Sequence, residues 1–338
     1  MRSKEVNKRN SHHKFINNKR SAIIKFIIRL AISLVLLGFL ISKIDPGSFT
    51  ELIQNASLPV LFVAFSLLLA DRFLQTFKWQ VLVNYQGMTV SFSHLVKILF
   101  VSNFFGLFIP SNLSIDFIRA YRLSQATSQK VNSVSSVIID RFISLASLLL
   151  LAQFGALAVL FYYHQTKIGI AILTLGIFFL FGLWILRYAI VKQDNFIKRQ
   201  ALKWEKIRIN LAKLSSIVNC YQDNPKVLVN VFFLSMGSQI VRIVFTYLIA
   251  VSLGYPVSII FFFILVPVVL VLAMLPISIG GLGVREGVFV VLLSNIGLSY
   301  TEAMTLSLLT YFVALSVTLP GAFIFVLEGK HKKRTVSS

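Results

Sequence analysis

The sequence predicts an all-α polytopic membrane helical bundle, and three observations predict it. Of 338 residues, 57% are hydrophobic and 13% charged, where a soluble domain carries about a quarter charged. Several apolar runs reach the roughly 20 residues that a helix needs to cross about 30 Å of hydrocarbon. The 33 Lys and Arg, against 12 Asp and Glu, cluster between and beside those runs, as in the cytoplasmic loops of membrane proteins. The net charge of +21 is therefore read as membrane topology, and nucleic-acid binding is not expected.

Residues 1–21 form a basic tail in which Arg2, Lys4, Lys8, Arg9, Lys14, Lys19 and Arg20 face Glu5 alone. That composition cannot bury a core, and the positive-inside rule places it in the cytoplasm. The start lacks a short apolar run with a small-residue cleavage site, so the first span is expected to be an uncleaved anchor. The membrane domain covers 22–328. A span at 24–43 leads to an outside loop with Asp45, Pro46 and Glu51, and a span at 58–80 returns to the cytoplasm near Lys78. The next apolar stretch, 92–109, stops at Pro110 and is followed by the polar run Ser111 to Asp116, then Arg119 and Arg122. Basic residues at both ends make it a broken, re-entrant hairpin entered from the cytoplasm, tolerable only where protein or water lines it.

Runs at 132–163 and 167–187 follow, joined outside. The basic loop 191–225 is expected in the cytoplasm; its Ile197, Ala201, Trp204, Ile207, Leu211, Leu214 and Val218 recur at steps of three and four. Such a helix suits either the headgroup plane or the underside of the bundle. Span 227–252 goes out to the turn Gly254-Tyr255-Pro256, and 257–275 breaks at Pro276 ahead of Gly280, Gly281 and Gly283. Residues 284–298 return outside, and 303–327 crosses inward to the basic tail at 329–338. The expected total is about six spans plus two broken hairpins, about eight membrane segments, with both termini in the cytoplasm.

Pro110 and Arg119 are separated by eight residues, and so are Pro276 and Arg285. The first break opens from the cytoplasm and the second from outside, the relation of an inverted repeat whose interrupted helices mark a substrate site. Asp71, Arg72, Asp116, Arg119, Asp140, Arg141, Arg242, Arg285 and Glu286 fall in or beside apolar segments. Each would cost about 2.5–3.5 kcal/mol facing lipid at the bilayer centre, so they are expected to face the interior or a wet cavity. Sequence neighbours point about 100° apart on a helix, so their partners are expected on other helices. Interhelical ion pairing accounts for Asp71-Arg72 and Asp140-Arg141 as readily as function does. Arg119 and Arg285 are the stronger functional candidates, because guanidinium beside a helix break binds phosphate in a planar, bidentate way.

The lone Cys220 rules out an intramolecular disulfide, and the scattered histidines His12, His13, His94, His164 and His331 lack metal-binding spacing. No metal or cofactor is expected, and Gly280, Gly281 and Gly283 are not set in a dinucleotide-binding unit.

The string Leu275 to Gly287, the pattern Asn103 to Pro110 with Asp116 and Arg119, and Asp140-Arg141-Phe142 resemble the membrane region of bacterial lysylphosphatidylglycerol synthases. That region also occurs alone in flippase-like membrane proteins. The resemblance spans most of 24–327. This chain departs from it at Ser111, Asn112, Ser114 and Ile115, where family members are glycine-rich, and at Asp140, where they often carry glutamate. It implies translocation of a lipid headgroup between leaflets, with no aminoacyl-transfer domain and no enzymatic step. The expected headgroup path is Asp116, Arg119, Asp140, Arg141, Arg285 and Glu286 with Gly280, Gly281 and Gly283. The expected partners are membrane lipids, an anionic phospholipid or a lipid-linked headgroup; assembly into a homo-oligomer stays open. The alternative is the membrane component of a glycosyl- or lipid-modifying transferase, against which the soluble loop offers no paired carboxylates for a metal-bound nucleotide donor.

Overall fold

The computed structural model of the chain describes residues 31–107, 113–162, 224–274 and 281–334, with Thr174, Gly176 and Ser278. The expectations for the basic tail 1–21, the span 167–187, the amphipathic stretch within 191–225, Pro110, Pro276 and Gly280 lie outside the described residues. The regular structure among the described residues is all helical. Helices α1 (Ala31–Ile41), α2 (Pro46–Gln54), α3 (Leu58–Tyr85), α4 (Phe92–Gly106), α5 (Leu113–Thr127) and α6 (Lys130–Tyr162) make the first half. The second comprises α7 (Pro225–Ser252), α8 (Ile259–Ala273), α9 (Val284–Ser294), α10 (Tyr300–Ser316) and α11 (Pro320–Arg334).

Four described stretches are long and apolar enough to cross a membrane: α3, α6, α7, and α10 with α11 taken together. The pair α1 and α2 is bent by 87°. Local chemistry sets their ends. Pro46, Pro59 and Pro225 sit in first turns, where a missing N–H is harmless. Ser299 and Glu302 form a reciprocal capping box at α10, with the Ser299 N–H donating to Glu302 Oε2 at 2.7 Å. Asp45 caps α2 by accepting from the Ser48 N–H, and that contact with the Ser48 hydroxyl holds its carboxyl below the usual range.

Helices α3 and α7 are antiparallel neighbours along their whole length. The Ser57 N–H donates to the Ser252 carbonyl at one end, Asp71 meets Ser238 midway, and Leu82 packs with Val231 at the other end. Each has 28 residues, about 42 Å of helix, more than the hydrocarbon thickness. The turns expected outside gather at one end: Asp45 lies against Thr301, Tyr300 donates to the Leu40 carbonyl, and Ser57 meets Ser252. Arg122 and Glu328 meet elsewhere, joining α5 to the distal part of α11.

A Cβ on Gly155 would come within 2.7 Å of the Phe263 backbone, and one on Gly321 would collide with the Phe100 carbonyl. Small residues thus let α6 approach α8 and α11 approach α4, as in lipid-embedded helix pairs. Phe62, Phe117, Phe161 and Phe323 are exposed on the outside of the bundle, which suits a lipid solvent.

Helices α4 and α5 pack on each other, as do α8 and α9. Each pair is a helix, a break and a helix. At 15, 15, 15 and 11 residues, none of the four reaches about 20 residues, the length of a full crossing. In the second break Gly281 and Gly283 both adopt positive φ, 78° and 81°. A Cβ there would also press on Ala273 at 2.7 Å and on Leu36 at 2.6 Å. Only glycine meets both demands.

Candidate functional site

The first charged cluster joins α3, α5 and α6. Asp140 is buried; its carboxylate forms an ion pair with Lys78 Nζ at 2.7 Å and accepts from Arg119 Nη1 at 3.1 Å. Asp116 and Arg119 are one turn apart on α5 and lie 3.7 Å from each other, and Arg141 Nε lies 3.7 Å from the second Asp116 oxygen. The Arg119 guanidinium stacks 4.2 Å over the Trp79 ring, and Trp79 is held in place by its N–H to Ser136 at 3.2 Å. Arg119 is 7% exposed, yet its Nε and Nη2 have no hydrogen-bond partner among the described residues. Those two atoms form the side-on edge of the guanidinium, which a carboxylate or phosphate grips in bidentate fashion. Three cations face two carboxylates here, so the cluster carries one unneutralised positive charge.

The second cluster is built at the glycine break. Glu286, fully buried, accepts from the Gly283 N–H at 2.6 Å and from Arg285 Nη2 at 2.7 Å. Arg285 lies 4.4 Å over the Tyr311 ring and 3.5 Å from the Ser307 carbonyl. Arg285 Nε and the buried Ser307 hydroxyl have no partner among the described residues. In both clusters, then, the arginine downstream of a break is pinned by a buried carboxylate, stacked on an aromatic ring and left with an unused donor.

Asp71 forms a third cluster between α3 and α7, accepting from Ser238 and Gln75 at 2.5 Å each and from Arg242 Nε at 3.3 Å.

The structure brings Asp116, Arg119, Asp140 and Arg141 together. It places Arg285, Glu286, Gly281 and Gly283 together elsewhere, and no described contact joins the two sets. Asp140 and Arg141 pair with other helices, as the helical geometry requires. Arg285 and Glu286 depart from that expectation and pair with each other. In the first turn of α9 the Glu286 side chain folds back to cap Gly283, which puts its other oxygen within reach of the preceding arginine.

Lys78 is also corrected: it does not mark the cytoplasmic end of its span but lies seven residues before the end of α3, 4% exposed, on Asp140. Its position was readable, because Asp71, Gln75 and Lys78 recur at i, i+4 and i+7 on one face of an apolar helix. No such pattern pointed to Trp79, Ser144, Gln239 or Tyr311.

A helical bundle with several helices long and apolar enough to cross a membrane, and with charged clusters buried inside it, defines a polytopic membrane protein. The lysylphosphatidylglycerol synthase TM region matches residues 26–321, and the chain belongs to that family. It is also similar to a UPF0104 membrane protein of Methanothermobacter thermautotrophicus, 22% identical over 340 residues, covering 94% of this chain and 96% of that protein.

Proposed function

We propose that the chain is a lipid flippase or lipid-handling transporter that holds a phosphate-bearing headgroup at Arg119 while the acyl tails stay in the bilayer. The observation that carries this reading is the buried, unpartnered Nε and Nη2 edge of Arg119. A guanidinium kept from water with an unused bidentate edge and surplus positive charge suits an anion that arrives and leaves. Trp79 braces its face, so the fork needs little ordering when the anion binds. Arg285, with its own free Nε and the unpartnered Ser307 hydroxyl, serves as the matching seat beside the second break. The two helix-break pairs act as re-entrant hairpins of an inverted repeat. In this reading the chain moves lipid without altering it covalently, and it lies in the cytoplasmic membrane with both termini inside.

Mass spectrometry of lipids co-purifying with wild type and Arg119→Gln tests the reading. A phosphate-bearing lipid enriched with wild type and lost from the variant is expected. Equal recovery from both proteins removes Arg119 as the seat. Leaflet translocation in proteoliposomes should fall with Arg119→Gln and, less steeply, with Arg119→Lys, which keeps charge but loses the fork.

A further inference from the structure

The charged clusters of α3 are not isolated from each other. Lys78 Nζ, already on Asp140, donates to Ser144 Oγ at 2.7 Å. Gln239 Nε2 donates to the Ser144 carbonyl at 3.3 Å, and Arg242 Nη1 donates to Gln239 Oε1 at 3.5 Å. Arg242 Nε then reaches Asp71 at 3.3 Å. A continuous chain of polar contacts therefore runs from Arg119 to Asp71 through the contact region of α3, α6 and α7. Asp71 and Lys78 are seven residues apart on α3, about 10 Å along the axis.

The far end has more positive charge than it can use internally. Asp71 accepts from Ser238, Gln75 and Arg242 and also acts electrostatically on Arg72, so a single carboxylate faces two arginines. Arg72 stands within electrostatic reach of Arg242, makes no ion pair among the described residues, and keeps a buried Nε without a partner. Residues 72 and 242 lie near the middle of 28-residue helices, the depth at which an unneutralised charge is least tolerable and at which substrate sites are built.

We propose that Arg72 and Arg242 form a second anion seat for the phosphate-bearing headgroup, joined to Arg119 through Asp140, Lys78, Ser144 and Gln239. The identity of the headgroup rests on the reading of Arg119 above; the second seat does not. Asp71 holds Arg242 in register and Arg72 contributes the free donor. A headgroup leaving Arg119 meets a second fixed cation before it would otherwise enter hydrocarbon.

Calorimetric titration of the detergent-solubilised full chain with dioctanoyl phosphatidylglycerol, against dioctanoylglycerol as the phosphate-free control, separates the seats. Wild type is expected to bind the phospholipid in two components. Arg119→Gln should lose one, Arg72→Gln should weaken the other at least tenfold, and the double variant should behave as it does toward the control. Arg72 makes no ion pair among the described residues, so its Gln variant is expected to fold; Arg72→Lys, which keeps charge without the fork, should weaken the same component by a smaller factor. Wild-type titration by Arg72→Gln overturns the second seat. If instead Arg119→Gln titrates as wild type while Arg72→Gln loses a component, the Arg119 reading falls and the second seat stands. Loss of binding in neither removes both.

Discussion

Replacing Asp140 by Asn should be far more damaging to the fold than replacing Arg119 by Gln, although the two side chains form one ion pair. Asp140 serves two cations, Lys78 at 2.7 Å and Arg119 at 3.1 Å, in a buried setting. Without its charge Lys78 loses its counter-ion and Arg119 keeps only Asp116 at 3.7 Å, and breaking a buried pair in this way costs about 3–5 kcal/mol. Arg119→Gln leaves Lys78 on Asp140. It gives up one charge-assisted hydrogen bond, about 1.5–3 kcal/mol, and it also removes two buried donors that have no partner, each about 1–3 kcal/mol unsatisfied. The net cost is about 1 kcal/mol or less. Denaturant unfolding of the purified variants in one detergent reads the difference directly. Equal losses in the two variants would refute the reasoning, because Arg119 would then be a structural brace and not a ligand-binding group with spare donors.

Arg285→Gln should behave differently from Arg119→Gln and lose about 3–5 kcal/mol, because the fully buried Glu286 keeps only the Gly283 N–H; unfolding measurements on both variants check this. Gly283→Ala should cost at least about 1–2 kcal/mol from its positive φ, with further loss where the new methyl meets Leu36, seen as a lower unfolding midpoint. With Cys220 replaced by Ser, cysteines introduced at Glu5 and Thr335 should resist impermeant thiol reagents in intact cells. Labelling of either from outside would invert the proposed topology.

Much of the architecture was legible in the chain. Apolar length and basic clustering are one-dimensional properties, so α3, α6, α7 and the α10 to α11 stretch lie within a few residues of their expected spans. The glycines ahead of α9 were legible too, since Gly281 and Gly283 act on the backbone locally through their positive φ. The equal spacing of Pro110 to Arg119 and Pro276 to Arg285 pointed to two arginines, each of which lies over an aromatic ring beside a buried carboxylate.

The sequence by itself determined that these helices belong in lipid, where they break, and which charges must be sheltered, because lipid penalises every exposed charge whatever the fold. It could not determine which charge shelters which. That depends on helix rotation and on contacts between residues far apart in the chain, such as Lys78 with Asp140 and Asp71 with Arg242. Only the tertiary structure decided that Lys78 belongs inside, that Glu286 turns back on its own helix, and that Arg119 keeps an edge free. A leftover donor is the remainder after all partners have been assigned in three dimensions, and no single residue's identity contains it.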